Sequence, residues 1–201
     1  IGEIAAQLGQ LYIYTGQNHE KQEVRIDYFH KAEQTIRSAI KSLEGSQDSE
    51  IHRRGFHTLL AQALRLQESY GPAYNEAIRS VKADPADVND QIELGLTHFQ
   101  LSEYNLAQKV WEGCIYLEPN NSIIYYYLGL CHFYQLEDIK DKEKRTSQIN
   151  VTIQYLENAL SLREEHDYVR YDIKFVLATV YNFAGRYTEA AKEFRTLELL
   201  E

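Results

Sequence analysis

A period of 34 residues constrains this chain more than anything else in it. The stretch Val88–Asn121 reads VNDQIELGLTHFQLSEYNLAQKVWEGCIYLEPNN, and its key letters return one period away in both directions. Leu94-Gly95 is matched by Leu60-Ala61 upstream and by Leu128-Gly129 downstream. Tyr104 pairs with Tyr70, Ala107 with Ala73, Pro119 with Pro85, and His98 with His132. Self-similarity at a fixed spacing in this range marks a unit that cannot bury its own apolar face and must stack on copies of itself.

Within Val88–Asn121 the recurring residues are Gln91, Leu94, Gly95, His98, Ala107, Trp111, Cys114 and Pro119. At repeat positions 4, 7, 8, 11, 20, 24, 27 and 32, this set resembles the tetratricopeptide repeat (TPR). Position 4 departs from the family pattern, since Gln91 is polar where an aromatic is usual. The resemblance implies an all-α, right-handed superhelical solenoid of stacked antiparallel helix pairs, about five of them. Small residues at positions 8 and 20 let the two helices approach. Bulky ones at 7, 11 and 24 fill the space beside them at close-packed density.

In that frame the chain reads as one solenoid over residues 1–201, with repeats near 2–46, 54–87, 88–121, 122–170 and 171–201. In the first, Leu8-Gly9, Tyr12 and Gly16 mark one helix, and Phe29, Ala32, Ile36 and Ala39 mark a delayed second one ending near Gly45. Residues 17–27 are therefore an insertion, part loop and part helical extension, and Ser46–Ile51 read as a linker. The second repeat keeps Leu64, Ala77 and Pro85, and its Gly71-Pro72 opens a helix, where proline lacks no needed donor. Asn120-Asn121 turn the chain and Ser122 is placed to cap the next helix. The fourth repeat is delayed to about Asn150–Leu162, where Thr152, Leu156 and Ala159 resume the pattern after a charged insertion at 137–148. The fifth fits through Leu177-Ala178, Tyr181, Gly185, Tyr187, Ala190, Phe194 and Leu197. Its second helix ends on Leu199-Leu200-Glu201, so further repeats or a polar cap are expected to follow.

Composition narrows the function classes. The 201 residues are 44% hydrophobic and 25% charged, with a net charge of −9. No basic stripe suited to a phosphate backbone is visible, so nucleic acid is not an expected partner. No apolar run reaches membrane-span length and no signal-peptide pattern is present, so direct membrane insertion is not expected. With no visible export signal and only two cysteines, a cytoplasmic location is preferred, and a periplasmic or complex-associated one stays open. The chain begins at Ile1 and has no Met, and so reads as a piece of a longer protein. Cys114 and Cys131 read as buried small fillers, with a bond between them as the sharper alternative.

Catalytic signatures are missing from the pattern. There is no phosphate-cradling Gly-rich loop, nucleophile elbow or paired metal-binding His on one helix. His98 and His132 recur where a bulky ring belongs, and His52 and His57 do not share a helix face. The one dense acid–base cluster, Arg163-Glu164-Glu165-His166-Asp167, falls in an inter-repeat turn. The expectation is a protein with no enzymatic activity, metal or cofactor.

The resemblance further implies that positions 2, 5, 9, 12 and 13 of each first helix line a concave groove. A carboxylate clamp of Lys at 5 and Asn at 9 is not present: Ala6 and Gln10, Thr58 and Gln62, and Ile92 and Leu96 stand there instead. The groove turns apolar through Ile92, Leu96, Phe99, Tyr126, Leu130, Phe133, Tyr134, Phe175 and Phe183. Such a patch is expected to take an amphipathic helix or extended segment of a protein partner, making the chain a scaffold or adaptor. Packing between neighbouring first helices is the competing reading for positions 12 and 13. Self-association through the groove or the terminal repeat, and a regulatory role within a larger enzyme or secretion or assembly machine, are the alternative functions.

Overall fold

The structure is a computed structural model that describes residues 2–43, 49–163 and 169–198, the side chains of 49–54 and 198 excepted. The described residues form ten α-helices and no strand. They are α1 (Gly2–Gln17), α2 (Gln22–Ser42), α3 (Ser49–Leu66), α4 (Tyr70–Ala83), α5 (Val88–Gln100), α6 (Tyr104–Leu117), α7 (Ser122–Tyr134), α8 (Lys142–Ser161), α9 (Val169–Phe183) and α10 (Tyr187–Glu198). Two compact units result, Ile1–Glu103 with α1 to α5 and Tyr104–Glu201 with α6 to α10.

The close approach of paired helices is visible at the glycines of repeat position 8. In the first unit, a Cβ on Gly9 would lie 2.8 Å from Ile36 Cγ1 of α2. In the second, a Cβ on Gly129 would lie 2.8 Å from both Cδ2 and Cγ of Leu156 on α8. Neither helix pair has room for one more methyl group, which is why glycine stands there. α2 buries Phe29, Ala32, Ile36 and Ala39. Ala32, Ile36 and Ala39 share a core with Phe56, Leu60 and Leu64 of α3. In the second unit, Ile153, Leu156 and Ala159 of α8 share a core with Ile173, Leu177 and Val180 of α9. Trp111 of α6 is fully buried and stacks on Tyr127, ring centroids 5.0 Å apart.

The turn inside the regular pairs has one chemistry. Glu68, Ser102 and Gly185 all occupy position 15, with φ of 61°, 60° and 74°. Each left-handed residue sends its own N–H and the following N–H back to the helix end: Ser69 to Leu64, Glu103 to His98, and Arg186 to Tyr181. This is the Schellman closure, in which two orphan carbonyls gain donors. The same position in the two lengthened repeats is Gly16 and Leu136. Gly16 stays helical within α1, and Leu136 sits in a 3-10 turn, Gln135–Asp138. Extra residues enter where this closure is not made.

Three boundaries differ from the sequence expectation. α8 begins at Lys142, well before Asn150, because Asp141 accepts from the Lys144 N–H and the charged residues after it are good helix formers. α3 begins at Ser49, so the linker expected as far as Ile51 is helical from Ser49; its remainder, with Gly45, lies outside the described residues. Asn121, not Ser122, caps α7 by accepting from Ile123 N–H, while Ser122 is buried inside the first turn.

The polar residue at position 4 also has an explanation. Gln91 Nε2 donates to the Pro85 carbonyl at 2.9 Å, and Tyr125, one period later, donates its hydroxyl to the Pro119 carbonyl at 2.9 Å. The side chain at position 4 closes the preceding inter-repeat turn in both, so an amide replaces a phenol without loss of the bond.

Candidate functional site

The residues expected to line a groove divide between the two units. Ile92, Leu96 and Phe99 lie on α5 of the first unit, all half-buried. α5 meets α3 there through polar contacts. Arg65 donates twice to Glu93, from Nε at 2.6 Å and from Nη2 at 3.1 Å. Thr58 donates to Asp90 and exchanges a 2.7 Å hydrogen bond with Ser80 of α4. Thr58 and Arg65 are groove positions 5 and 12 of their repeat, and both are engaged between helices. Burial pushes the Glu93 carboxyl up, and Arg65 opposes that rise.

In the second unit, α7 contributes Tyr126, Leu130, Phe133 and Tyr134, and α9 contributes Phe175 and Phe183. Phe133 meets Phe183 edge-on at 5.9 Å and Tyr134 at 5.7 Å. Tyr126 and Phe133 also pack on the core formed by α8 and α9, so part of each ring is structural. Burial, with Asp172 nearby, pushes the Tyr126 hydroxyl up, keeping it a neutral phenol. The residues that present most surface are Phe175, Phe183 and Tyr134, at 58%, 54% and 46% exposed. Phe183 and Tyr134 both meet Phe133, while Phe175 meets Phe194 of α10 at 6.2 Å.

His57, His98 and His132 are packing groups with hydrogen bonds. His98 Nδ1 donates to Glu103 at 2.7 Å, and its ring meets Tyr74 edge-on. His132 stacks on Tyr155 with centroids 5.2 Å apart and accepts from the Gln148 amide at 2.7 Å. Burial holds the His132 imidazole below its ordinary pKa, against the Gln148 bond. His57 pairs with Glu76 at 2.6 Å, and Arg79 adds a 3.1 Å contact to the same carboxylate. Burial would raise Glu76, but the His57 bond and the Arg79 charge prevail and hold it low. Sequence reasoning missed this polar seam of α3, α4 and α5. Its one signal was Asp90 at position 3, where Phe56, Ile124 and Ile173 stand in other repeats.

Cys114 and Cys131 are free and buried, so the bond between them is not formed. Burial raises the thiols to about 11 and about 12, which leaves neither a nucleophile at neutral pH. Among the described residues, no group of three His, Cys, Asp or Glu is placed to hold a metal ion. No helix among them is long and apolar enough to cross a membrane. The cluster Arg163–Asp167 lies, apart from Arg163, outside the described residues. A hollow of about 580 Å³ in the first unit is lined by Glu20, Arg25, Phe29, His30, Gln67 and Glu68. Its charges are of mixed sign, and the Gln67 amide is engaged by the Phe29 carbonyl and Glu33.

No family model matches the chain, and no curated protein does. Solved structures do. MamA of Desulfovibrio magneticus RS-1 superposes with a TM-score of 0.65 at 17% identity, covering 96% of this chain and 94% of that one. TTC0263, a thermophilic TPR protein of Thermus thermophilus, gives 0.65 at 16% identity over 94% and 89%. BtubC of P. vanneervenii gives 0.69 at 16% identity over 98% and 87%. At such identities the likeness concerns the fold. Together with the period, the glycine approaches and the repeated turn, it shows that this chain has the fold of the tetratricopeptide repeat family.

Proposed function

We propose that the chain is a non-catalytic protein-interaction scaffold that holds a partner helix or extended segment against the exposed side of its first helices. The supporting observation is the aromatic face of α7 and α9. There Phe183 meets Phe133 yet leaves 54% of its own surface open, Phe133 also meets Tyr134, and Phe175 is exposed about two turns earlier on α9. A rigid ring held by its neighbours loses little entropy on binding, which is what an anchor site requires. Ile92, Leu96 and Phe99 of α5 supply the corresponding apolar positions in the first unit. MamA and TTC0263 share the fold, and TTC0263 is described as a TPR protein.

The test is affinity capture from native lysate with wild type, Phe183→Glu, Leu96→Glu, and Tyr116→Glu as control, since Tyr116 is 90% exposed on a second helix. Partners held by wild type and Tyr116→Glu and lost by folded Phe183→Glu support the reading. The same partners on every variant refute it.

A further inference from the structure

The two units build the junction between successive first helices with different electrostatics. In the first unit, positions 5 and 12 of α3 are Thr58 and Arg65, which meet Asp90 and Glu93 of α5. That junction supplies its own countercharge, since Arg65 donates twice to Glu93. In the second unit, position 12 of α7 is Phe133, which meets Phe183 of α9 edge-on at 5.9 Å. Position 5 is Tyr126, with Asp172 of α9 nearby. Phe175, at position 5 of α9, meets Phe194 of α10 instead and takes no part in this junction.

Here the carboxylate has no countercharge. Apart from the buried His132, the charged side chains of α7 and α9 are Arg170, Asp172 and Lys174. Arg170 Nη1 donates to the Leu160 and Arg163 carbonyls, and Lys174 donates to the Thr196 hydroxyl. Both cations are thus engaged elsewhere, and no cation among the described residues pairs with Asp172, which is exposed. A carboxylate beside aromatic rings is a place for a cation, which gains from the negative charge and from the ring faces together. An acidic side chain brought to the same place meets a like charge that nothing neutralises.

We infer that the segment held on the α7–α9 face carries a Lys or Arg seated against Asp172, and an apolar side chain about 16 Å away against Phe133 and Phe183. That distance is the separation of Asp172 and Phe183 along α9. A partner spans it with about eleven residues of helix or about five of extended chain. The inference rests on the scaffold reading and adds the sign and the spacing of what the face recognises.

Fluorescence anisotropy tests it with two sets of three synthetic peptides, one set for each spacing. Within a set the peptides share one Leu/Phe face and differ at a single residue at that spacing, which is Lys, Gln or Glu. In one set, wild type is expected to bind the Lys peptide about five- to tenfold more tightly than the Gln peptide, and the Glu peptide more weakly still. Asp172→Asn is expected to erase the preference for Lys. Asp138→Asn removes the same charge from the 3-10 turn after α7 and is expected to keep it, which separates the site from the net charge of −9. Phe183→Glu, with helicity retained by circular dichroism, is expected to lose every peptide. Wild type that binds neither Lys peptide, that binds Lys and Gln alike, or whose preference survives Asp172→Asn overturns the inference. In the last two cases the anchor face still stands if Phe183→Glu abolishes binding. Peptides held equally by wild type and Phe183→Glu overturn the underlying face along with the inference.

Discussion

Glycine at position 8 makes a prediction with a built-in control. In Gly129→Ala the new Cβ falls 2.8 Å from Leu156 Cδ2 and Cγ, and 3.6 Å from the Leu156 backbone nitrogen. Unstrained carbon contacts begin at about 3.5–4.0 Å, so roughly 0.7 Å of movement is needed. Leu156 is fully buried and cannot supply it by turning into solvent. Overpacking of this kind costs about 1–3 kcal/mol. Alanine recovers about 1 kcal/mol through its better helix propensity. The net loss is then roughly 0–2 kcal/mol, or a fall in melting temperature of up to about 8 °C for a chain of this size. Gly113→Ala isolates the second effect. It lies inside α6, is exposed, and a Cβ there meets nothing within 4 Å. That variant is expected to gain about 1 kcal/mol. Thermal melts by circular dichroism read both. Combining Gly129→Ala with Leu156→Ala should cost less than the sum of the two single changes, since the shortened side chain vacates the contested space. If Gly129→Ala matches Gly113→Ala in raising the melting temperature, the close approach of α7 and α8 is not what demands glycine.

Other consequences follow from the polar seam, the turns and the buried imidazole. Arg65→Met strands Glu93 in a buried site and should cost roughly 3–5 kcal/mol near neutral pH by urea unfolding, with Arg65→Met/Glu93→Leu recovering most of it. Because the Glu93 carboxyl is raised in the fold, that deficit should be absent below its unfolded pKa and grow as pH rises through the folded one; a pH-independent deficit would contradict the assignment. Ser102→Gly and Glu68→Gly relieve left-handed strain and should each stabilise by about 1 kcal/mol in the same assay. The His132 pKa is depressed, so its contribution is complete above the unfolded value of about 6.5 and is lost as pH falls through the folded one. His132→Phe should flatten that part of the stability profile between neutral and mildly acid pH, and an unchanged profile would refute the burial argument.

Much of the fold was readable because a repeat writes its packing rules several times over. Leu60, Leu94, Leu128 and Leu177 share one environment, so each reading supports the others. The helical starts at Ser49 and Lys142 were not readable by the same means. Those segments lack an apolar stripe, and helix from Lys142 follows from the Asp141 cap and from propensity. Asp90 and Glu93 resemble ordinary surface charges until their register is followed onto the α3 face, where Thr58 and Arg65 meet them. The candidate face shows the limit most clearly. The sequence places Phe133 and Phe183 on first helices, but only the packing shows Phe133 half-buried against the core and Phe183 left open. Ile4, Leu8 and Leu11 look like core in the repeat pattern, and it takes the structure to show them 70%, 37% and 56% exposed.

The most direct test of the scaffold reading is the affinity of a captured partner, purified and titrated by calorimetry against wild type, Phe183→Ala and Tyr116→Ala. An aromatic anchor removed from the centre of an interface typically costs at least about 2 kcal/mol, which is roughly a thirtyfold rise in Kd. The account predicts that rise for Phe183→Ala and wild-type affinity for Tyr116→Ala. Equal affinity for wild type and folded Phe183→Ala would contradict it.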